Sequence, residues 1–495
     1  MSVTREEAGQ VIVDLVHDPD ITRPADRPTR TSPVARLTNH LLDQRRANGA
    51  IPGYCPGRPL ETALLHSLLV KTGLHPERQK ELARYLSHHP ISPIPTDLTI
   101  LNPGNSPRKQ FLFSTLRHLI SGTPLPAAPA DIPYRGHPRW TELLLAALHH
   151  LHNGNAEEHD FIVTRLSENR LPVFEGHVLN HLVALHALHR HQPRHPLLRR
   201  GIADALAARR PDGGVPFTYD LDIFATAAAG LALHAAGLPR HELAPLARYL
   251  IAHQQPNGGW SYTEGARQTD ADDTTYAVQF LRLLDPVGYA DHIHAGREQL
   301  RALQNDDGGI PTFLHGEPSD ITMTAATLPL LDPFGRPARA ALTFILEHQQ
   351  RDGTFERCWS LSEAHAIFRT VHALEGCAFP DPRIRGVVAL ARARLTATQN
   401  SDGGWGQIPG EPSDPTSTAH SLLALPVAGP AHRRGRAYLV ARQRDDGSVP
   451  SRPDLAGPRP LLYECPILAS IYALWAVGRP NHHMRVAPFS AEEGS

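Results

Sequence analysis

Hydrophobic positions in the second half of the chain recur with a helical period in two alternating styles. One style is amphipathic, with Arg, Glu and His on a polar face, as in LARYLIAHQQ and LTFILEHQQ. The other is rich in small residues and nearly apolar, as in FATAAAGLALHAAG, TTYAVQFLRLL and TSTAHSLLALPVAG. Between them stands one recurring phrase: RRPDGG (209–214), QQPNGGW (254–260), QNDDGGI (304–310), QQRDGTF (349–355), QNSDGGW (399–405) and RQRDDGS (442–448). Counted from Arg210, Gln255, Gln304, Gln350, Gln399 and Gln443, the steps are 45, 49, 46, 49 and 44 residues, a period that marks a repeat architecture. The Asp/Asn-Gly-Gly core of the phrase ends one helix and turns the chain, because glycine accepts the left-handed backbone a helix end requires.

The pattern predicts an all-α fold of six helical hairpins, apolar helices inside and charged helices outside. They either close into a double ring or stack as a solenoid. Trp260, Trp405 and the phrase glutamines are expected to be structural, joining inner-helix starts to outer-helix ends. Residues 30–195 read as a second, degenerate helical domain broken by Pro- and Gly-rich loops, and 196–480 as the repeat domain. A helix within 1–25, packed on the repeat domain, and a flexible tail over 481–495 complete the expected division.

Composition narrows the function more by exclusion than by assertion. A net charge of −1 leaves no footprint for nucleic acid. Cys55, Cys358, Cys377 and Cys465 are scattered, without CxxC or CxxH spacing, which argues against a disulfide framework and a cysteine-built zinc site. No basic start followed by an apolar run begins the sequence, and no apolar stretch reaches bilayer length, so a cytoplasmic protein without a transmembrane segment is expected. Many of the 31 histidines sit in Arg- and Pro-rich stretches and read as solvated.

One segment breaks the neutrality. QTDADDTTY (268–276) places Asp270, Asp272 and Asp273 within four residues at the mouth of an inner helix. GEPSD, ending at Asp320 and at Asp414, marks the equivalent mouths of two other repeats, where a single Asp is the ordinary N-cap. One cap needs one carboxylate, and the helix dipole adds only modestly for a second. Three carboxylates repel, and if buried at least one holds its proton far above the usual Asp pKa of about 4.

The repeated Q-x-x-[DN]-G-G-W phrase together with D-x-D-D-T resembles the class II terpenoid cyclases, the family of the squalene–hopene and copalyl-diphosphate-type cyclases. The likeness covers roughly residues 195–480, and the acidic cluster is its specific part. It implies an (α/α)6 barrel, the β domain, beside a related second barrel, the γ domain, with a polyene between them. It implies that Asp272 is the general acid, tuned by Asp270 and Asp273. In hopene cyclases a His hydrogen-bonds the acid from a P-S-x-D-type segment; here that segment is PSDITMT, with Asp320 present and Thr324 at the His position.

The chemistry suits the residues independently, since protonating an unactivated alkene needs a positioned acid in a dry site. An aromatic content of 6% and five Trp favour few rings, hence geranylgeranyl diphosphate, or farnesyl diphosphate, closed to a bicycle. No DDxxD metal motif is present, so the diphosphate should survive, leaving a substrate for a downstream class I synthase. The resemblance implies Mg²⁺ for diphosphate binding, with Glu157, Glu158 and Asp160 of AEEHD as the candidate ligands and Lys109, Arg135 and Arg139 as candidate phosphate contacts. Trp359 and Tyr463 are candidate cavity walls, water or a His such as His365 the terminating base, and a homodimer remains open. A zinc prenyltransferase would need Asp-x-Cys and a lanthipeptide cyclase Cys-His-Gly; both are absent. A non-catalytic repeat module would leave the three Asp as exposed caps.

Overall fold

The computed structural model describes residues 32–90, 107–127, 133–168, 171–457 and 461–478; the helix expected within 1–25 and the tail from 481 lie outside the described residues. The chain runs α1 (Pro33–Gln44), α2 (Pro59–Thr72), α3 (Pro76–His88), α4 (Pro107–Ser121), α5 (Arg139–Asn153), α6 (Ala156–Ser167), α7 (Val178–His191) and α8 (Pro196–Ala207). It continues through α9 (Asp222–Ala235), α10 (Arg240–Ala252), α11 (Ala271–Leu284), α12 (Ala290–Leu303), α13 (Ile321–Thr327) and α14 (Arg336–Glu347). Then follow α15 (Glu363–Glu375), α16 (Arg383–Ala397), α17 (Pro415–Ala424), α18 (Pro430–Arg442), a short hairpin of β1 (Leu455–Ala456) and β2 (Leu462–Tyr463), and α19 (Ile467–Gly478). No helix among the described residues is long and apolar enough to cross a membrane.

Six inner helices, α9, α11, α13, α15, α17 and α19, pack each against the next and the last against the first, forming a closed ring. The small residues expected inside allow the close approach: a Cβ on Gly230 of α9 would stand 2.7 Å from the ring of Phe280 on α11. Helices α10, α12, α14, α16 and α18 lie outside, each against its inner partner. The phrases tie this outer layer together. Gln254 Nε2 donates to Gly258 O and on to His292 O at 2.9 Å. Gln304, Gln349 and Gln399 likewise reach Pro337 O, Val387 O and Ala431 O. The glutamines therefore bind successive outer helices to one another rather than to inner-helix starts. Trp260 and Trp405 make the expected link, donating Nε1 to Leu250 O and Leu395 O at their own outer-helix ends. Gly258 shows why glycine is required: its φ is +86° and a Cβ would lie 2.3 Å from Ala295 O.

The sixth outer helix comes from elsewhere in the chain. Helix α1 packs on α19, Gln443 donates to Pro33 O at 3.0 Å, and Arg36 returns two bonds to Gln443 Oε1. At the end of α1, Arg45 takes the glutamine's place and donates to Glu242 O at 2.9 Å. The weak phrase after α1 seats α9, through Ile51 N on Thr226 Oγ1 (2.9 Å) and Gly53 N on Asp222 Oδ1 (2.8 Å).

Residues from α2 to α8 build a second hydrophobic core, joined by Leu198, Ile202 and Ala205 of α8, whereas Leu37, Leu41 and Ile51 belong to the ring's core. The strong phrase at 209–214 serves this second core: Val215 N donates to Thr62 Oγ1 at the start of α2. The expected boundary at 195/196 and the start of the second domain at residue 30 are thus both displaced. The second core is inserted between the ring's outer helix α1 and inner helix α9. A helix-end turn is local chemistry and reads alike in either core, so the phrase alone did not disclose which ring it served.

Candidate active site

Helix α11 opens with the acidic cluster. Asp270 is its N-cap in extended conformation, and its Oδ1 accepts from Asp273 N at 2.8 Å. Asp272 lies in the first turn, where its Oδ1 accepts from Arg369 Nη2 at 2.7 Å. Arg369 projects from inner helix α15, is 7% exposed, and stacks its guanidinium 4.6 Å from the ring centroid of Tyr276. The Tyr276 hydroxyl meets that of Tyr472 at 3.0 Å. Asp273 is buried, and its Oδ1 has no hydrogen-bond partner.

Burial dominates the electrostatics. It raises the Asp272 pKa, with Arg369 pulling the other way and Asp320 adding repulsion. Burial also pushes Asp270 up to about 7 and Asp273 well above the carboxylate range, and each repels its neighbour. Two buried carboxylates side by side cannot both ionise cheaply, so burial and mutual repulsion both favour a proton kept on this pair.

All three Asp open on a cavity of about 110 Å³ that lies between the two cores. The ring supplies Phe224, Tyr262, Phe313, Trp359 and Tyr463, and the segment between α1 and α9 supplies Trp140, His177 and Phe217, of which Trp140 packs with the ring's core and Phe217 with the second. Seven aromatic side chains gather on this one small cavity, a local concentration that the 6% aromatic content of the whole chain does not disclose. Trp359 and Tyr463 are on the wall as expected, and Trp359 Nε1 is anchored on Thr312 Oγ1 at 3.1 Å.

Other expected site residues lie elsewhere. Asp320 caps α13 by accepting from Thr322 N and Met323 N, and Thr324 Oγ1 accepts from Ile310 N while donating to Asp320 O. Neither lines the cavity. Thr324 instead matches Thr274 and Thr418, which accept the same phrase amide from Trp260 and Trp405. His365 is buried beside His420, off the wall.

The AEEHD segment starts α6 and does not converge. Glu157 accepts from Tyr134 Oη (2.7 Å) and faces Arg135, Glu158 is buried, and Asp160 is 81% exposed beside His159. Among the described residues no three His, Cys, Asp or Glu side chains form a group that could hold a metal ion, so these side chains do not fit a Mg²⁺ held by the protein alone. Arg139 is spent on Glu175 at 2.7 Å.

Three site residues escaped the sequence reading. Arg369, behind Asp272, carried a signal, a lone Arg inside an otherwise buried helix EAHAIFRTVHALE. His177 and Trp140, on the wall, carried none, since they come from the inserted segment and join Asp272 at the cavity only in three dimensions.

The profile of the squalene-hopene cyclase C-terminal domain matches residues 314–481. Across 90% of its length the chain is 37% identical to drimenyl diphosphate synthase of Streptantibioticus cattleyicolor, covering 96% of that protein. It is 36% identical to drimenyl diphosphate synthase of Streptomyces showdoensis, over 89% of this chain and 93% of that one. A solved structure, ent-copalyl diphosphate synthase from Streptomyces platensis, is 17% identical over 96% of this chain and 98% of that one, with a TM-score of 0.49. At such identity over nearly the whole chain, the protein belongs to the class II terpene cyclases and is an enzyme of the intramolecular isomerase type.

Proposed function

We propose that the protein closes farnesyl diphosphate to a bicyclic drimane-type diphosphate, with Asp272 as the proton donor and the diphosphate retained. The observation that carries this reading is Asp272 itself, on an aromatic-lined cavity, with one oxygen held by Arg369 and the other carboxylates buried beside it. The preference for a C15 rather than a C20 chain draws support from the relatives named for drimenyl diphosphate. It takes the farnesyl alternative over the geranylgeranyl preference; the low aromatic content favoured few rings and did not separate the two.

Burial raises the Asp272 pKa and so favours its protonated form, while the Arg369 guanidinium, donating to Oδ1, pulls the other way and makes the acid a stronger donor. The proton passes to the distal double bond and leaves a tertiary cation. Two internal double bonds close on it in turn, and loss of one proton restores neutrality. Substrate and product are isomers. The aspartate left behind stays paired to Arg369, and the wall aromatics face the moving positive charge. In the same reading the ring is the (α/α)6 barrel and the inserted core its degenerate γ partner, and Mg²⁺, where needed, comes with the diphosphate oxygens rather than from AEEHD.

The test incubates the full chain with Mg²⁺ and either farnesyl or geranylgeranyl diphosphate, removes the phosphates and identifies the alcohols. A C15 bicycle, absent with Asp272→Asn, is the expected result. Undiminished turnover by Asp272→Asn would defeat the acid assignment, and preference for the C20 chain would defeat the substrate assignment alone.

A further inference from the structure

We infer that Glu175 is a positioning residue that fixes the inserted wall of the cavity against the helix carrying the acid. It thereby decides how closely the polyene is held while it cyclises. This rests on the reading of Asp272 as the acid. Wall and acid come from separate stretches of chain, and Glu175, 4% exposed, joins three such stretches at one carboxylate. Its Oε1 accepts from Arg139 Nε at 2.7 Å, and its Oε2 accepts from Arg267 N at 2.7 Å and Gln268 N at 3.0 Å. Gln268 Oε1 in turn accepts from Arg139 N at 3.2 Å. Arg139 immediately precedes Trp140 on the cavity wall, and Gln268 stands two residues before Asp270. Hydrogen bonds to an ionised group are the strong kind.

The backbone at this turn is strained. Glu175 adopts a left-handed conformation, φ +50°, and Gly176 follows at φ +78°. A non-glycine residue in that region persists only where its surroundings impose it. Here the Tyr262 hydroxyl donates to Glu175 O, and Tyr219 N and Thr218 Oγ1 donate to Gly176 O. A Cβ on Gly176 would stand 2.6 Å from Tyr262 Oη, so glycine is needed for this approach. Tyr262 and Thr218 both line the cavity. The turn is therefore held by the wall it serves.

None of the bonds just named reaches the oxygens of the acid. Asp272 is held by Arg369 from α15, so proton supply and wall placement rest on different residues. Ring closure needs each double bond within attack distance of the cation before it, and a misplacement of about 1 Å can cost about 100-fold in rate. Without the Glu175 carboxylate, the Arg139 side chain and two backbone amides lose their acceptor. Of these ties only the 3.2 Å bond from Arg139 N to Gln268 then joins the start of α5 to the approach to α11. The wall yields, the polyene is held loosely, and water reaches cations it should not meet. Protonation by Asp272 is left as it was.

The test uses the full chain with farnesyl diphosphate and Mg²⁺, comparing wild type, Glu175→Ala, Glu175→Gln and Asp272→Asn, with folding checked by thermal melts. Glu175→Ala should raise KM, lower kcat/KM about tenfold to 100-fold, and release incompletely cyclised and water-captured products beside the bicycle. Glu175→Gln keeps the length and one acceptor oxygen, so it should recover part of the rate and of the product pattern. The alkaline limb of the rate profile should stay at its wild-type pH in both, because Asp272 keeps Arg369. If Glu175→Ala does not fold, Glu175→Gln decides. A folded Glu175 variant with the wild-type product pattern overturns the inference whatever its rate. A shifted alkaline limb overturns it too, since Glu175 would then act on the proton rather than on the wall. Undiminished turnover by Asp272→Asn fails the underlying reading instead, so the two failures are told apart in one assay.

Discussion

Three inner-helix mouths are built to one plan and only one holds chemistry. Asp270, Asp320 and Asp414 each cap a helix from extended backbone, and each pairs across an isolated bridge with the last phrase residue, Trp260, Ile310 or Trp405. Four residues on, Thr274, Thr324 and Thr418 accept that same residue's amide. The difference lies two and three positions after the cap. There α13 has Thr322 and Met323, α17 has Thr416 and Ser417, and α11 has Asp272 and Asp273. The repeat supplies the placement, and the departure from the repeat supplies the acid.

Asp272→Asn should break the comparison most severely, cutting turnover by about 10²–10⁴-fold while the chain still folds, because the amide keeps an oxygen to accept from Arg369. Thr416→Asp in that background should restore nothing, because α17 lacks the Arg369 partner; recovered turnover measured by product analysis would show that the mouths are interchangeable. Next in size, Arg369→Met removes one half of a buried pair and should cost about 3–5 kcal/mol of unfolding free energy in denaturant titration. Arg369 lowers the Asp272 pKa, so without it that pKa rises, the acid form survives to higher pH, and the alkaline limb of the rate profile moves upward.

The Asp270/Asp273 pair sharpens the contrast through pH. Both folded-state pKa values are raised by burial, Asp270 to about 7. Raised carboxyl values mean that the unfolded chain ionises first. Stability from this pair is therefore fullest below the unfolded pKa and falls as pH climbs from the ordinary carboxylate range through about 7. Asp273→Asn should flatten that slope in melts across the range. The smallest effect is expected at a mouth without chemistry: Asp414→Ala loses a cap worth about 1 kcal/mol, seen as a lowered melting temperature with the product unchanged.

Legibility followed the range of each interaction. The glycine phrases, the N-caps and the acidic cluster are made of neighbours in sequence, so their periodicity and spacing announced them. Arg369 was readable in principle as a charge where none belongs. The ring's sixth outer helix was not: α1 closes a contact with residues more than 400 positions away, through Arg36 and Gln443. Nor was the seating of the 209–214 phrase on α2, since nothing local in a helix-end turn names its partner.

By itself the amino-acid order determined the repeat, the turns and the crowding of three like charges, because each depends on groups a few bonds or one helical turn apart. Only the tertiary structure decided that the crowd faces an aromatic hollow, that Arg369 steadies its middle member, and that the segment inserted after α1 brings His177 and Trp140 to the same cavity. Those relations join residues about 100 positions apart, and burial and pKa arise from what surrounds a group in space rather than from what precedes it in the chain.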